Sequence, residues 1–270
     1  MTKPCLGFVA NPQKDELVEA VRRATERAAQ RGFLCSVTKE MDGVLSLPNF
    51  SQNAPDILFA FGGDGTILRA ASEAVRLDIP LCGVNLGRVG FLSEVGLDEF
   101  DEVLDAILTG AYSIDPCMML RCDVNGKREY SCINDVLLYK ESFSGVVKVS
   151  VVIDDTDAGD VFCDGVIVST PTGATGYAIS AGGPVVAPGL EAAVITPICP
   201  HSLAFRPIIT PASSKIQMQV DGNTHLAIDG VHVCEVLPAD VVTILRGERM
   251  VKFVRVRKRN LYALIHDKLA

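Results

Sequence analysis

Gly62-Gly63-Asp64-Gly65-Thr66 follows a short apolar segment and opens onto a helical pattern. A strand that runs through glycines into a helix gathers backbone N–H groups and the positive end of a helix dipole at one point, an anion site suited to phosphate. Two common phosphate motifs are absent: there is no Gly-x-x-x-x-Gly-Lys followed by Ser or Thr, and the glycines at 62, 63 and 65 do not complete Gly-x-Gly-x-x-Gly. Asp64 is the informative departure. Phosphate repels a carboxylate unless that carboxylate meets a metal ion, a nearby cation, or a hydroxyl about to lose its proton. The other reading of Asp64 is a turn residue bonding its own backbone.

A second chemical stretch is DGVIVSTPTGATGYAISAGGPVV, residues 164–186. Its strand ends in Thr170-Pro171-Thr172-Gly173, and hydroxyls and glycines follow at Thr175, Gly176, Tyr177, Ser180, Gly182 and Gly183. Small hydroxylated residues around exposed backbone suit hydrogen bonding to a base or sugar edge, and Tyr177 offers a face for stacking. The same letters also fit a Gly-rich connection in a β domain. Asn134-Asp135, at the start of the apolar run VLLY, puts an amide and a carboxylate where they can grip ribose hydroxyls, although Asn-Asp before a strand is often a turn.

The elements that must position these residues change character along the chain. Through about residue 110, strand patterns (5–10, 33–37, 56–61, 79–85) alternate with helical ones (14–31, from the 62–65 loop to 74, and 98–108 capped by Asp98). That alternation implies a parallel sheet flanked by helices. From about Tyr112 the chain reads as short strands: 120–124 and 128–133 around an Asn125-Gly126 hairpin turn, then 146–153, 161–169, 194–198, 215–220 and 241–245. The expected organisation is an α/β domain at 1–111, a predominantly β domain at 112–249, and a segment at 250–270 that can return to the first domain. That last segment alternates basic and apolar residues, reads as a solvated strand edge with a bulge between Phe253 and Val254, and ends in an amphipathic helix capped by Asn260.

Composition narrows the function. A formal charge of -8 argues against a nucleic-acid binder that works by broad phosphate neutralisation. No window approaches the run of about 18 apolar residues needed to span a membrane, and no signal-peptide run precedes Pro12, so a cytoplasmic protein is expected. The nine cysteines form no Cys-x-x-Cys pair, and the four histidines lack metal-ligand spacing, so buried thiols and no protein-held metal site are expected.

Taken together, GGDGT at 62–66, IND at 133–135, DGVIVSTPTGATGY at 164–177, SAGGP at 180–184 and TPICPHSLAFRP at 196–207 resemble the NAD kinases, and the resemblance runs over most of the chain. A GGDGT loop alone is shared with diacylglycerol and sphingosine kinases; the STPTG and CPHS segments are far more specific. What the resemblance implies is transfer of the γ-phosphoryl of ATP, with Mg²⁺, to the adenosine ribose 2′-hydroxyl of NAD. It further implies a site in the crevice between the two domains of a homodimer or homotetramer. Asp64 would be the general base, Gly65 and Thr66 would support the phosphate loop, and Arg69 would offset negative charge. Asn134 and Asp135 would hold the ribose and phosphate of NAD. Asp164, often supplied by a neighbouring subunit, would bind the nicotinamide end. The segment with Thr172, Thr175, Gly176, Tyr177, Ala178, Ile179 and Ser180 would surround the adenosine. Four positions depart from the family's usual pattern: Asp135 replaces a glutamate, Gly176 an alanine, Phe162 an arginine, and Val231 the glutamine of Asp-Gly-Gln. Two alternatives remain at this stage, a lipid or sphingoid kinase with the same loop and a non-catalytic dinucleotide sensor.

Overall fold

A computed structural model describes residues 4–87, 90–142, 144–187, 189–202, 204–258 and 263–266, and the chain divides into two compact units, Met1–Pro116 with Val251–Ala270, and Cys117–Met250. The first unit runs β1 (Cys5–Ala10), α1 (Asp15–Gln30), β2 (Leu34–Val37), β3 (Ile57–Phe61), α2 (Asp64–Leu77), β4 (Leu81–Asn85), β5 (Val95–Gly96) and α3 (Phe100–Thr109). Strands β2, β1, β3 and β4 lie side by side, all parallel. The helices follow the apolar spacing: α1 buries Leu17, Ala20, Val21, Ala24 and Ala28 at intervals of three and four. Helices α1 and α3 cover one sheet face around Phe8, Phe59, Phe61 and Phe100, whose rings sit 5.2 to 6.5 Å apart. Ile67 of α2 packs against Gly83, on the face opposite Cys82 and Val84.

The chain continues with β6 (Ser113–Val124), β7 (Arg128–Cys132), β8 (Asp135–Lys140), β9 (Val147–Ile153), β10 (Thr156–Cys163), β11 (Gly165–Ser169), α4 (Tyr177–Ser180), β12 (Ala192–Ile198), β13 (Ile208–Pro211), β14 (Ile216–Val220), β15 (Thr224–Ile228), β16 (Val231–Val236) and β17 (Val242–Arg255), all in the second unit except the start of β6 and the end of β17. An antiparallel sheet in the order β13-β12-β11-β8-β15-β16 faces a second antiparallel layer that includes β9, β10, β14 and the start of β17. Alternate residues, among them Val136, Leu138, Val166, Val168, Val149, Val151 and Met218, meet between the layers as the core. The opposite face of the six-stranded sheet carries Asp135, Leu137, Ile167 and Ser169. The chain is thus an α/β unit with a parallel sheet joined to a predominantly β unit.

Several sequence expectations are corrected. Residues 161–169 are not one strand: the chain breaks at Asp164 and changes sheets there, so β10 and β11 belong to different layers. Asp98 does not cap α3, because it falls inside a 3₁₀ turn at Leu97–Glu99; the Glu99 carboxylate accepts the Gly96 N–H at 3.0 Å instead. Strands β13, β15 and β16 were not foreseen.

The basic tail is not a sheet edge, since β17 lies between β14 and β4, although Arg249, Arg257 and Lys258 are exposed. Lys252 pairs with Asp78 at 2.7 Å, Arg257 with Glu99 at 2.7 Å, and the buried Arg255 with Glu94 at 3.1 Å and Asp115 at 3.2 Å. Phe253, Val254 and Arg255 are buried in succession, which accounts for the phase change that had read as a bulge. Of the C-terminal helix expected from Asn260, residues 263–266 are helical, while Asn260, Leu261 and Leu269 lie outside the described residues.

All nine cysteines are free thiols, and burial pushes those of Cys35 and Cys122 up to about 12, which keeps them protonated and unreactive.

Candidate active site

In the first unit the phosphate-type turn is only Gly62 and Gly63, and Asp64 already belongs to the first turn of α2. Its carboxylate is held from outside the helix. The Phe91 N–H donates to Oδ2 at 3.0 Å and the Leu92 N–H to Oδ1 at 3.1 Å, so one main-chain segment fixes both oxygens. Each oxygen keeps a further lone-pair direction for another donor. The segment approaches so closely that a Cβ at Gly90 would stand 2.2 Å from Asp64 Oδ1.

Gly90→Ala therefore has to push the carboxylate aside. A displacement of about 1 Å at a reacting group costs on the order of a hundredfold. The expected result is a turnover loss of that order with the far-ultraviolet circular dichroism unchanged, and native turnover would mean that Asp64 needs no fixed position.

The other side of α2 faces a cleft of about 1040 Å³, lined in part by Asn11 beyond β1, Lys39 beyond β2, and Thr66, Arg69 and Arg76 of α2. This is the carboxyl end of the parallel strands, where open α/β sheets bind their ligands. Thr66 and Arg69 thus line the cleft, and the Asp64 carboxylate turns to the 91–92 main chain. Gly65 is exposed next to them.

In the second unit, the Asn134-Asp135 pair and the 170–180 segment come together on the outer face of the six-stranded sheet. The Thr170 N–H donates to the Asn134 carbonyl at 2.9 Å, and the Thr170 hydroxyl to the Ile133 carbonyl at 2.6 Å. Gly173 then passes so near that a Cβ there would lie 2.0 Å from the Asn134 carbonyl oxygen, which explains glycine at that position. Thr175 is tied back by its hydroxyl to the Thr172 carbonyl at 3.0 Å. Gly176, Tyr177 and Ser180 are exposed, with the Tyr177 ring 48% accessible, while the Ala178 methyl is in the core against Ile167 and Ile198 and Ile179 is half-buried. Ala178 can offer a ligand only its main chain. Three buried oxygens beneath or beside this segment, Asn134 Oδ1, Ser169 Oγ and Thr196 Oγ1, have no hydrogen-bond partner among the described residues. Native interiors leave few such groups, and at a ligand site they are the atoms a bound molecule satisfies.

Asp164 is not part of this cluster. It sits beside Gly165, which pairs with Tyr139, whereas Asp135 pairs with Ser169 at the other end of the same two strands. The separation is roughly 15 Å at the ~3.3 Å rise of a strand. Its carboxylate is engaged by Lys140 Nζ at 2.6 Å. Phe162 and Val231, where the family pattern has polar residues, are both exposed.

Two contributors escaped the sequence reading. The 90–92 main chain that clamps Asp64 has no local signature, because any residue supplies an N–H. Asp229 accepts the main-chain N–H groups of residues 133–135, and its Asp-Gly dipeptide is a hairpin-turn signal that also marks the unforeseen β15–β16 pair.

A model of the ATP-NAD kinase N-terminal domain matches residues 6–112, and one of the ATP-NAD kinase C-terminal domain matches residues 133–256. The NAD kinase of Moorella thermoacetica is 34% identical over 98% of this chain and 88% of its own length. The chain belongs to the NAD kinase family. An NAD kinase from Clostridium botulinum is 37% identical over 83% of this chain and 82% of its own length. The crystal structure of an NAD kinase from Archaeoglobus fulgidus in complex with ATP superposes with a TM-score of 0.77 at 26% identity, covering 97% of this chain and 98% of that one. A yeast NADH kinase shares the fold, with a TM-score of 0.86 at 23% identity over 99% of this chain and 87% of that one. NAD kinase membership replaces the lipid-kinase alternative. Within the NAD kinase fold, GGDGT lies in the part matched as N-terminal domain, and both Asn134-Asp135 and STPTGATGY in the part matched as C-terminal domain.

Proposed function

We propose that the chain transfers the γ-phosphoryl group of ATP to the 2′-hydroxyl of the adenosine ribose of NAD, with Asp64 accepting the hydroxyl proton. The bond between the 2′-oxygen and the γ-phosphorus forms, the bond from that phosphorus to the β–γ bridging oxygen breaks, and the products are NADP and ADP. The observation that carries this reading is the division of labour around α2: Thr66 and Arg69 line the cleft, and the Asp64 carboxylate is clamped on the other side by two main-chain N–H groups. A carboxylate so held keeps its charge out of the phosphate-binding side and leaves lone pairs for a hydroxyl. An aspartate is a weak base for a sugar hydroxyl, but the proton needs to move only as the new bond forms, so positioning supplies much of the acceleration.

Mg²⁺ enters as part of the ATP substrate and neutralises charge on its phosphates. Among the described residues no cluster of three or more His, Cys, Asp or Glu is placed to hold a cation by itself. Asn134, Asp135, Thr172, Thr175, Gly176, Tyr177, Ile179 and Ser180, with the main chain of Ala178, hold the dinucleotide. The position of Asp164, at the end of β11 away from that cluster, accords with a homodimer or homotetramer in which it serves a neighbouring copy. No described helix is long and apolar enough to cross a membrane, and the reading places the enzyme in the cytoplasm.

The test is NADP formation by the purified protein from NAD and ATP, with and without Mg²⁺. Magnesium-dependent NADP formation supports the reading. NAD binding by calorimetry with no NADP formed would favour the dinucleotide sensor.

A further inference from the structure

Residues 133–135 are held in an unusually complete way. The Asp229 carboxylate receives the Ile133 N–H at 3.0 Å, the Asn134 N–H at 2.7 Å and the Asp135 N–H at 3.2 Å, and the Asp229 N–H donates to the Asp135 carbonyl at 3.0 Å. Thr170 takes the other two carbonyls, those of Ile133 and Asn134. Two residues distant in sequence thereby satisfy all six main-chain polar groups of the tripeptide. The side chains of Asn134 and Asp135 are left for a ligand, and Asn134 Oδ1 is buried without a partner among the described residues. Asp229 reaches this position because it opens the β15–β16 turn, with φ of 49° followed by 79° at Gly230.

We propose that Asp229 is a positioning residue of the dinucleotide site, fixing the angle at which Asn134 and Asp135 meet the ribose of NAD through the three main-chain N–H groups that its carboxylate receives. The inference rests on the NAD reading above. It carries an electrostatic consequence. Burial, and then the neighbouring Asp229, push the Asp135 carboxyl up to about 6, while burial raises that of Asp229 itself against the three N–H groups that pull it down. The titratable groups facing Asp135 are Asp229 from the β15–β16 turn and the Cys132 thiol from the end of β7; Ser169 lies opposite on β11. A carboxylate accepts ribose hydroxyls better than a neutral carboxyl does, so NAD binding tightens as pH rises through about 6.

The test is calorimetric binding of NAD to the full chain from pH 5 to 8, with KM for NAD and for ATP measured alongside. In Asp229→Asn an amide nitrogen replaces an acceptor and faces a donor, and a charge is lost. The expected result is NAD dissociation and KM raised about tenfold or more, KM for ATP within twofold, and the inflection near pH 6 moved to lower pH because the charge opposing Asp135 ionisation is gone. Should Asp229→Asn not fold, Asp229→Ser, which keeps one short acceptor, takes its place in the same measurements. Unchanged NAD binding, or equal rises in KM for both substrates with the inflection unmoved, overturns the inference. If the wild-type protein binds NAD but forms no NADP, only the kinase reading fails and the binding arm still decides the role of Asp229; a wild-type protein that does not bind NAD overturns both.

Discussion

Asp64→Asn is expected to bind NAD with near-native affinity and to turn over about a thousandfold more slowly, within the range of 10²–10⁴ that a positioned general base contributes. The substitution keeps the shape and removes the base. Asparagine offers one oxygen, so it can still accept from either Phe91 or Leu92, but its amide nitrogen then points a donor at the other N–H. A modest loss of stability, on the order of 1 kcal/mol, should accompany the kinetic loss, since one hydrogen bond goes and two donors oppose each other. Steady-state kinetics with calorimetric NAD binding separates the two effects. Turnover within tenfold of native would remove Asp64, as base and as charge, from the chemical step.

The second large effect concerns stability. Arg255 and Glu94 form an ion pair whose side chains are only 8% and 1% accessible, and the guanidinium also lies over the Phe253 ring at 4.9 Å. Glu94 accepts, besides, the main-chain N–H groups of Val256 at 2.9 Å and Arg257 at 3.2 Å. Breaking such a pair strands the remaining charge where water cannot reach it. Arg255→Leu should cost about 3–5 kcal/mol, read as a lowered urea midpoint. Removing both charges is another matter. In Glu94→Leu with Arg255→Leu no charge is left buried, so the double variant should recover a large part of that loss. A double variant as unstable as the sum of its singles would mean that the pair is held by its hydrogen bonds to the main chain, not by the matching of charge.

How much of this was legible in the sequence depended on the range of the interaction. The parallel α/β unit was readable because α1 and α2 bury residues at helical spacing and β1 and β3 are short, continuously apolar runs, both properties of neighbours along the chain. Asp64 and Asn134-Asp135 were readable for a related reason: a carboxylate among glycines, or an amide and carboxylate before an apolar run, is conspicuous locally. The clamp on Asp64 was not, since Phe91 and Leu92 act through main-chain N–H groups that no side chain advertises. The break at Asp164 was hidden as well, because apolar residues continue through both β10 and β11 while the chain changes sheets. The ion pairs of the basic tail, and the burial of Arg255, were hidden because the carboxylate partners Asp78, Glu94 and Glu99 lie more than 150 residues earlier. Asp229 was visible as half of a turn dipeptide, but only the folded chain shows what its carboxylate holds.

Strand β17 runs from Val242 to Arg255, and its end lies parallel to β4, with Phe253 opposite Leu81. During synthesis this has a consequence in time. The first unit leaves the ribosome early, yet the strand beside β4 and the cation that matches Glu94 are among the last residues to emerge. At roughly 5–20 residues per second the nascent chain spends on the order of ten seconds with that carboxylate unmatched. For that interval the half carrying the proposed base is an unfinished domain, and a chain released early at residue 250 would stay one.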